Sequence, residues 1–238
     1  IGISLLVGFW LFIRQPETLA MGSTVSFSLR GIIAVSWLIL MNAKVLAYML
    51  AAGLLFGAQL SFYGVAQSIF SDTYSRAEFF TTFLALLAFA VGAASLINAR
   101  LVLRFGTVIL VRIAVTGLVL SGGMLCCAAF LTNGMPPLWL FLGLCMGFFF
   151  CMGILFGNLG AMAMESLGAV AGIGASIIAS VSSLVAVLVS DVVGRLHDST
   201  VLPLSICFIV VAVGTLVLIE SAVRRNNVIV LPYRRSAT

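Results

Sequence analysis

The chain has 238 residues, of which 63% are apolar and 8% are charged. Water-soluble domains carry roughly 45–50% apolar and about 25% charged residues, and a folded chain of this size cannot bury the apolar surface that a mean hydropathy of +1.27 implies. The composition therefore excludes a soluble domain and predicts an integral membrane protein. At about 20 apolar residues per span, the chain can hold about six membrane helices.

The net charge of +5 does not indicate a nucleic-acid-binding protein, because the basic residues never gather on one soluble face. All five cysteines lie in apolar runs without the spacing of metal ligands, and we expect them to be packing residues. No serine–histidine–acid set, phosphate loop or metal cluster is visible, so we predict neither an enzyme nor a cofactor. The first apolar run has neither the basic flank nor the cleavage site of a signal peptide.

Residues 1–13 are predicted to be the end of a truncated membrane helix, because Ile1 stands in place of methionine inside an apolar run. A cytoplasmic linker over residues 14–44 follows. Its apolar segment, residues 31–41, is too short to cross the membrane and is bracketed by Arg30 and Lys44. It is predicted to be an interfacial helix or an extension of the next span.

Six complete spans and a cytoplasmic tail follow. Hydropathy and helix breakers place the spans at about 45–70, 77–99, 107–131, 138–160, 171–193 and 203–222, within a transmembrane domain over residues 45–222, and the tail at 223–238. This arrangement puts ten of the twelve basic residues on one side of the membrane, leaving Arg76 and Arg195 on the other. The positive-inside rule then predicts that both ends are cytoplasmic. A crossing at residues 31–41 would weaken that bias.

Polar side chains recur on one stripe of the first complete span. Gln59, Tyr63 and Gln67 are four residues apart, so they share a helix face. Amides are costly in lipid, and this stripe is predicted to face protein or water. Two functions remain open for it: contact with a substrate, or interhelical hydrogen bonding that holds the bundle together.

Small residues form a second stripe on the fifth span, at Gly172, Ser176, Ser180 and Ser183. This pattern favours close helix packing over ligand contact, although Ser180 stays a cavity candidate. Four glycine pairs also have GxxxG spacing, which indicates a tightly packed bundle. They are Gly53/Gly57, Gly143/Gly147, Gly153/Gly157 and Gly168/Gly172.

Phenylalanine and methionine are concentrated in the fourth span, and such side chains adapt to bulky apolar ligands. Phe149 is the cavity candidate of this group, although most phenylalanines of a membrane helix face lipid or core. Asn158 interrupts the same apolar run and is a candidate for a cavity or gate. Both assignments are hypotheses from residue type and position.

Acids are rare in the spans, and an intramembrane acid is by default a functional hypothesis, for instance as a proton site. Asp191 is the one acid that we identify well inside an apolar segment. Because Arg195 lies four residues later, an ion pair at the membrane edge is favoured over proton coupling. His197, beside Asp198, is expected to be a solvated loop residue rather than a proton relay.

Four short segments resemble one superfamily, in the right order. Residues 98–106 (NARLVLRFG), with Arg100, Arg104 and Gly106, resemble the basic loop between helices eight and nine of major facilitator transporters. Residues 14–19 (RQPETL) resemble the segment after helix six. Residues 157–180 and 194–200 (GRLHDST) are similar to the helix ten to eleven region and the next outer loop of the bicyclomycin and chloramphenicol resistance (Bcr/CflA) drug–proton antiporters.

The resemblance implies the C-terminal half of a twelve-helix major facilitator fold, made of two inverted three-helix repeats. It departs from the family pattern because the basic loop lacks an acid beside its arginines, and because the first six helices, which carry the family's main motifs and its usual proton-coupling acid, are absent. It further implies a cavity wall from the first, second, fourth and fifth complete spans. The partner of that wall would be the missing N-terminal half.

These observations together predict a proton-coupled exporter of small amphipathic, drug-like molecules in the cytoplasmic (inner) membrane of a bacterium. Export would proceed by alternating access, with protons, substrate and lipid bilayer as partners. One alternative is an uptake carrier for a sugar or metabolite. Another is a six-helix membrane remnant or scaffold that does not transport.

Overall fold

The structure, a computed structural model, describes residues 1–14, 29–165, 167 and 170–224. Among these residues every regular element is a helix. The helices are α1 (Gly2–Arg14), α2 (Leu29–Met41), α3 (Ala43–Ser68), α4 (Phe79–Phe105), α5 (Thr107–Leu131), α6 (Leu138–Met164), α7 (Ala171–Leu196) and α8 (Leu202–Arg224). Residues 15–28 of the predicted linker, Gly168 and the tail beyond residue 224 lie outside the described residues.

The chain divides into two units, Ile1–Ala34 and Val35–Thr238. The first unit contains α1, a helix of 13 residues whose side chains are all exposed. The second unit contains the end of α2 and all of α3–α8. It carries the features discussed below.

Helices α3–α8 have the length and composition of membrane spans. The shortest has 23 residues and the longest 27, which corresponds to roughly 35–40 Å against a hydrocarbon core of about 30 Å. The all-helical fold with six such helices among the described residues is therefore confirmed. Helix α4 continues beyond the predicted end at residue 99 to Phe105, because a helix need not stop where its apolar stretch gives way to the charged side chains of Arg100 and Arg104.

Helices α2 and α3 are separated by a break at Asn42. Its backbone is extended (φ −77°, ψ 103°), and its Oδ1 accepts hydrogen bonds from the backbone N–H groups of Lys44 and Val45, both at 3.0 Å. This is a standard N-cap, which satisfies donors that a helix start would otherwise leave free. The segment at 31–41 is thus not a continuous extension of the next span. Ile39 in its second half is buried against Val45 and other residues of the second unit.

Two central helices organise the six-helix bundle. Helix α3 packs against α7, α8 and α6, and α6 packs against α4, α5 and α3. Helices α5 and α8 also pack against each other, whereas α4 and α7 each have one principal neighbour. The contact pattern is symmetric between the units α3–α5 and α6–α8. The contacts of α3 with α7 and α8 correspond to those of α6 with α4 and α5, and the contacts α3–α6 and α5–α8 correspond to themselves.

Aromatic rings fill the centre of the bundle. Phe148 of α6 and Phe208 of α8 stack face to face, with ring centroids 4.0 Å apart. Phe62 of α3 meets Phe149 edge to face at 5.2 Å, and Phe83 of α4 at 6.1 Å. The phenylalanine-rich stretch of α6 is therefore core, which is the more ordinary of the two interpretations of its sequence.

The pair Gly53/Gly57 and one member of a second pair, Gly153, mediate close helix contacts, whereas a Cβ on Gly157 would meet no described atom within 4 Å. A Cβ on Gly53 would lie 2.8 Å from Val185 Cβ, and one on Gly57 would lie 2.7 Å from Val189 Cβ, so α3 and α7 cross with backbones nearly touching. A Cβ on Gly153 would lie 2.9 Å from the Val91 carbonyl of α4. The pair at Gly143 and Gly147 has no such close contact with the described residues, which shows that the spacing alone does not decide packing.

The connections α3–α4, α5–α6 and α7–α8 are joined at one end of the bundle. The Tyr74 hydroxyl donates to the Pro136 carbonyl (2.7 Å), and burial raises the pKa of Tyr74, so the phenol keeps this proton. The Val201 N–H donates to the carbonyl of Gly134 (3.0 Å). Gly134 has φ +85° and lies against the Thr200 side chain, so both its backbone conformation and the available space require glycine.

Candidate substrate-binding face

Helix α3 has one face that the rest of the described bundle leaves uncovered. It carries Ala52, Phe56, Gln59, Tyr63 and Gln67, which we call the α3 face. Spacings of three and four residues align these side chains along the helix. The predicted stripe at 59, 63 and 67 therefore points away from the packed core: Tyr63 and Gln67 are exposed and Gln59 is half-buried.

The polar groups of the α3 face are partly connected. The Gln59 side-chain amide donates to the Tyr63 hydroxyl at 3.1 Å, within the same helix. No hydrogen bond from this stripe to another helix is present among the described residues. Of the two functions left open for the stripe, interhelical bonding therefore finds no support within this bundle, and the groups remain available to an external partner.

A groove of about 440 Å³ begins on the same face. It is lined by Ala52 and Phe56 of α3, by α6 residues including Phe156 and Met164, and by α7 residues that are small except for Ile178. None of the lining residues carries a charge. The groove lies in the half of the bundle where α3 and α7 begin and α6 ends, and the polar stripe continues from it toward the opposite end.

Phe149 is fully buried, and so it does not line the groove surface as a cavity candidate would. Its ring lies 6.4 Å from the Tyr63 ring and 5.2 Å from that of Phe62. Phe149 therefore packs on the core side of the exposed Tyr63 ring.

Asn158 is buried and joins two helices. Its Nδ2 donates to Asn98 Oδ1 of α4 at 2.7 Å and to the Ile154 carbonyl at 2.9 Å. The predicted cavity or gate residue is thus an interhelical link in this conformation. The sequence places its partner Asn98 only at the start of the basic loop segment 98–106, because a single sequence gives no signal that pairs residues 60 positions apart.

The serine stripe of α7 is not the packing surface that its pattern predicts. Ser176, Ser180 and Ser183 are exposed, and the first two donate only to carbonyls of their own helix. The serine that packs is Ser182, which donates to the Met49 carbonyl of α3 at 3.0 Å. Ser183 instead lines the groove, so the stripe borders the open face.

The ion pair between Asp191 and Arg195 is present as expected, with 2.8 Å between Oδ2 and Nε and both side chains exposed. Asp191 does not line the groove. A second acid inside an apolar helix was missed in the sequence: Glu220 of α8, which forms a two-pronged ion pair with Arg112 of α5 at 2.8 and 3.1 Å.

The basic loop motif lies between α4 and α5. Arg100 and Arg104 are exposed in the last turns of α4, and the Arg104 guanidinium lies 5.4 Å from the Phe105 ring centroid. Gly106 alone connects the two helices, with φ +78° and ψ 159°. Other residues rarely adopt this conformation, so the backbone between α4 and α5 requires a glycine at this position of the motif.

His197 is not the solvated loop residue that the sequence indicates. Its ring is partly buried, and Nε2 lies 3.1 Å from Ser68 Oγ at the end of α3. Ser68 in turn donates to Asp72 at 2.6 Å. The sequence gives no sign of this contact because the residues lie more than a hundred positions apart.

In the part of the chain that the structure describes, six long apolar helices support a multi-pass helical membrane protein. No protein-family model, curated protein or solved structure matches the chain.

Proposed function

We propose that α3–α8 form the C-terminal half of a major facilitator transporter that exports small amphipathic molecules in exchange for protons. The observation that carries the proposal is the α3 face, where an uncharged groove of about 440 Å³ continues into an exposed amide and tyrosine stripe. Polar groups on an apolar helix need protein, water or a ligand beside them. A cavity shared with a second six-helix half would supply such surroundings.

The packing pattern supports the same proposal. Two three-helix units with equivalent contacts are what an inverted repeat produces. Helices α4 and α7, which occupy equivalent places in the two units, are also the least covered. Of their apolar 18-residue stretches, 22% and 11% are buried, against 44% or more in the other four helices. The uncovered face of α7 borders the groove, where a partner bundle could pack.

The experiment is export of a fluorescent amphipathic dye from intact bacterial cells that express the complete reading frame containing this chain. We expect export to require the proton gradient, and Tyr63→Ala to alter which dyes are exported. Phe130→Ala is the matched control, since Phe130 is an exposed aromatic residue of α5, which is outside the predicted cavity wall and does not line the groove.

Export that persists in the presence of an uncoupler would contradict proton coupling. A dye profile unchanged by Tyr63→Ala would contradict the assignment of the α3 face. Uptake of a sugar or metabolite driven by the proton gradient would support the uptake carrier and contradict the exporter.

A further inference from the structure

Helix α5 carries a second groove on its exposed side. All of its lining residues belong to this helix: they are Arg112, Ile113, Thr116, Gly117 and Leu120, which we call the α5 groove, and its volume is about 470 Å³. The large side chains of Ile113 and Leu120 are exposed on the helix surface, and the small residues between them leave a notch. Since α5 is a membrane span by length and composition, the groove opens toward lipid.

The α5 groove runs from the membrane surface toward the bilayer centre. Helix α5 has 25 residues and rises roughly 37 Å, against a hydrocarbon core of about 30 Å. With the helix centred in the bilayer, Arg112 lies about 4 Å inside this core. Leu120 lies about 12 Å further along the helix, near the midplane. One end of the groove is therefore close to the lipid headgroups and the other is among the acyl chains.

Arg112 has more hydrogen-bond donors than its ion-pair partner uses. Nε and Nη2 donate to Glu220 of α8 at 2.8 and 3.1 Å, and the remaining N–H groups of the guanidinium have no described acceptor. Half of the Arg112 side chain is exposed. The two bonds to α8 hold the guanidinium at this depth, where hydrocarbon offers no acceptor. The phosphate and ester oxygens of a phospholipid are acceptors that the membrane itself supplies there.

The charges at this end of the bundle favour an anionic lipid. Arg224, at the end of α8, also interacts electrostatically with Glu220, so one carboxylate stands beside two arginines. Helix α4 adds Arg100 and Arg104, and Glu165 follows α6. Among the described residues of α4, α5, α6 and α8 at this end, four arginines thus stand against two glutamates. Basic pockets between membrane helices bind anionic headgroups, and the planar guanidinium matches phosphate in a two-pronged geometry.

We propose that the α5 groove is a binding site for an anionic phospholipid of the leaflet in which α5 begins. The lipid phosphate accepts hydrogen bonds from the free N–H groups of Arg112. One acyl chain lies over Thr116 and Gly117 and extends toward Leu120. This inference goes beyond the proposed transport and does not rest on it, because α5 and α8 lie outside the predicted cavity wall.

The test is quenching of a single tryptophan by brominated lipids. In the 238-residue chain, the three native tryptophans, all exposed, are replaced by phenylalanine, and Leu120→Trp places the probe in the groove. Val210→Trp is the control, since Val210 of α8 is exposed but does not line the groove. Its depth is similar: about 21 Å from the end of α8, compared with about 20 Å from the start of α5 for Leu120.

The chain is reconstituted into phosphatidylcholine vesicles that contain brominated phosphatidylglycerol or brominated phosphatidylcholine at the same mole fraction. At Leu120→Trp we expect the anionic lipid to quench with about fivefold higher apparent affinity, the effect of one uncompensated arginine near the membrane surface. At Val210→Trp the two lipids should quench equally. An equal effect of the two lipids in the groove, or the same preference at both probes, would overturn the proposal. Quenching by neither lipid in the groove would show that protein covers it, and would overturn the proposal as well.

Two double variants with unchanged net charge test the headgroup contact. Arg112→Gln with Glu220→Gln removes the guanidinium without leaving a carboxylate unpaired, and should abolish the preference for the anionic lipid in the groove. Arg104→Gln with Glu165→Gln removes one charge of each sign at the same end, and should retain it. Quenching at Val210→Trp should be the same in both backgrounds if the bundle is intact. Equal losses in the two backgrounds would contradict Arg112 as the phosphate ligand.

Inorganic phosphate and a groove-filling variant separate the headgroup from the acyl chain. Inorganic phosphate at millimolar concentration should leave the preference unchanged, because a free anion gains nothing from the apolar part of the groove. Thr116→Phe fills the notch and should weaken quenching by the anionic lipid. If inorganic phosphate removes the preference while Thr116→Phe has no effect, the site binds a free anion and the phospholipid assignment is wrong.

Discussion

Half-buried Asn98 and buried Asn158 form a direct side-chain contact between two spans. The two side chains bond at 2.7 Å, and Asn158 also returns a bond to its own helix. The bond between the two side chains lowers the cost of placing the Asn158 amide N–H and the Asn98 amide oxygen in apolar surroundings. The pair therefore fixes the position of α4 on α6.

A double-mutant cycle tests this contact. Asn98→Ala and Asn158→Ala should each destabilise the bundle, and the double variant should lose less than the sum, with a coupling of about 0.5–2 kcal/mol. Unfolding by a denaturing detergent provides the measurement. Ser95→Ala is the control, since Ser95 bonds only to a carbonyl of its own helix. Strictly additive losses would show that the contact contributes nothing of its own.

The ion pair of Arg112 and Glu220 joins α5 to α8 inside two apolar helices. Arg112 lies in the second turn of α5 and Glu220 in the last turns of α8, and removal of either charge leaves the other without its counter-ion. We expect Glu220→Gln and Arg112→Gln each to lower the melting temperature, and the exchange Arg112→Glu with Glu220→Arg to restore most of it. A melting temperature as low in the exchanged variant as in the single ones would show that the surroundings, rather than the pair, require this arrangement.

At the scale of residues, the sequence indicates faces but not partners. The spacing of Gln59, Tyr63 and Gln67 places them on one side of α3 without knowledge of the fold, because helix periodicity is local. The contacts of Asn158, Glu220 and His197 join residues 60 or more positions apart. Helix periodicity carries no information about such pairs. It also misplaces the packing serine of α7 by one or two positions, since Ser182 faces α3 whereas Ser183 is exposed beside the groove.

At the scale of elements, the crossing of α3 and α7 depends on two glycines. A methyl group at either position would lie within 3 Å of a valine Cβ on the opposite helix. The backbones could accommodate it only by moving apart. Ser182, which bonds to the Met49 carbonyl, lies at the same crossing and would lose its bond if they did.

Substitution at this crossing distinguishes packing from spacing. Gly57→Ala should destabilise the bundle by about 1–3 kcal/mol, the usual cost of overpacking. Gly64→Ala on the same helix should be neutral or slightly stabilising, since a Cβ there meets no described atom within 4 Å. Detergent unfolding of both variants gives the comparison, and equal stabilities would contradict a tight crossing. The GxxxG pair at Gly143 and Gly147 should tolerate alanine in the same assay.

The elements themselves are well predicted from hydropathy, because a run of more than 20 apolar residues leaves few alternatives to a membrane helix. The ends of these helices are less well predicted. The break at Asn42 depends on a side-chain cap, and α4 runs on past its apolar stretch to Gly106, where a positive φ ends it. Both ends are decided by single residues rather than by the average over a window.

At the scale of the whole molecule, the orientation of the bundle is a prediction from charge. Ala77 in the α3–α4 connection and Glu165 at the end of α6 are both exposed and lie at opposite ends of the bundle. In intact cells, a membrane-impermeant maleimide should label Ala77→Cys, and should label Glu165→Cys only after permeabilisation. The chain with its five native cysteines alone is the background control. Reversed labelling would place both ends outside.

The crossing of α3 and α7 also sets the order in which the chain can fold during synthesis. Val185 leaves the ribosome about 130 residues after Gly53, which at 5–20 residues per second is a delay of roughly 7–26 seconds. During that time the glycine face of α3 and the Met49 carbonyl have no final neighbour. Until α7 has been synthesised, α3 must therefore stay in the membrane without this neighbour, in contact with lipid or an insertion factor. A nascent chain stalled before α7 should accordingly be more exposed to membrane proteases than one released after it.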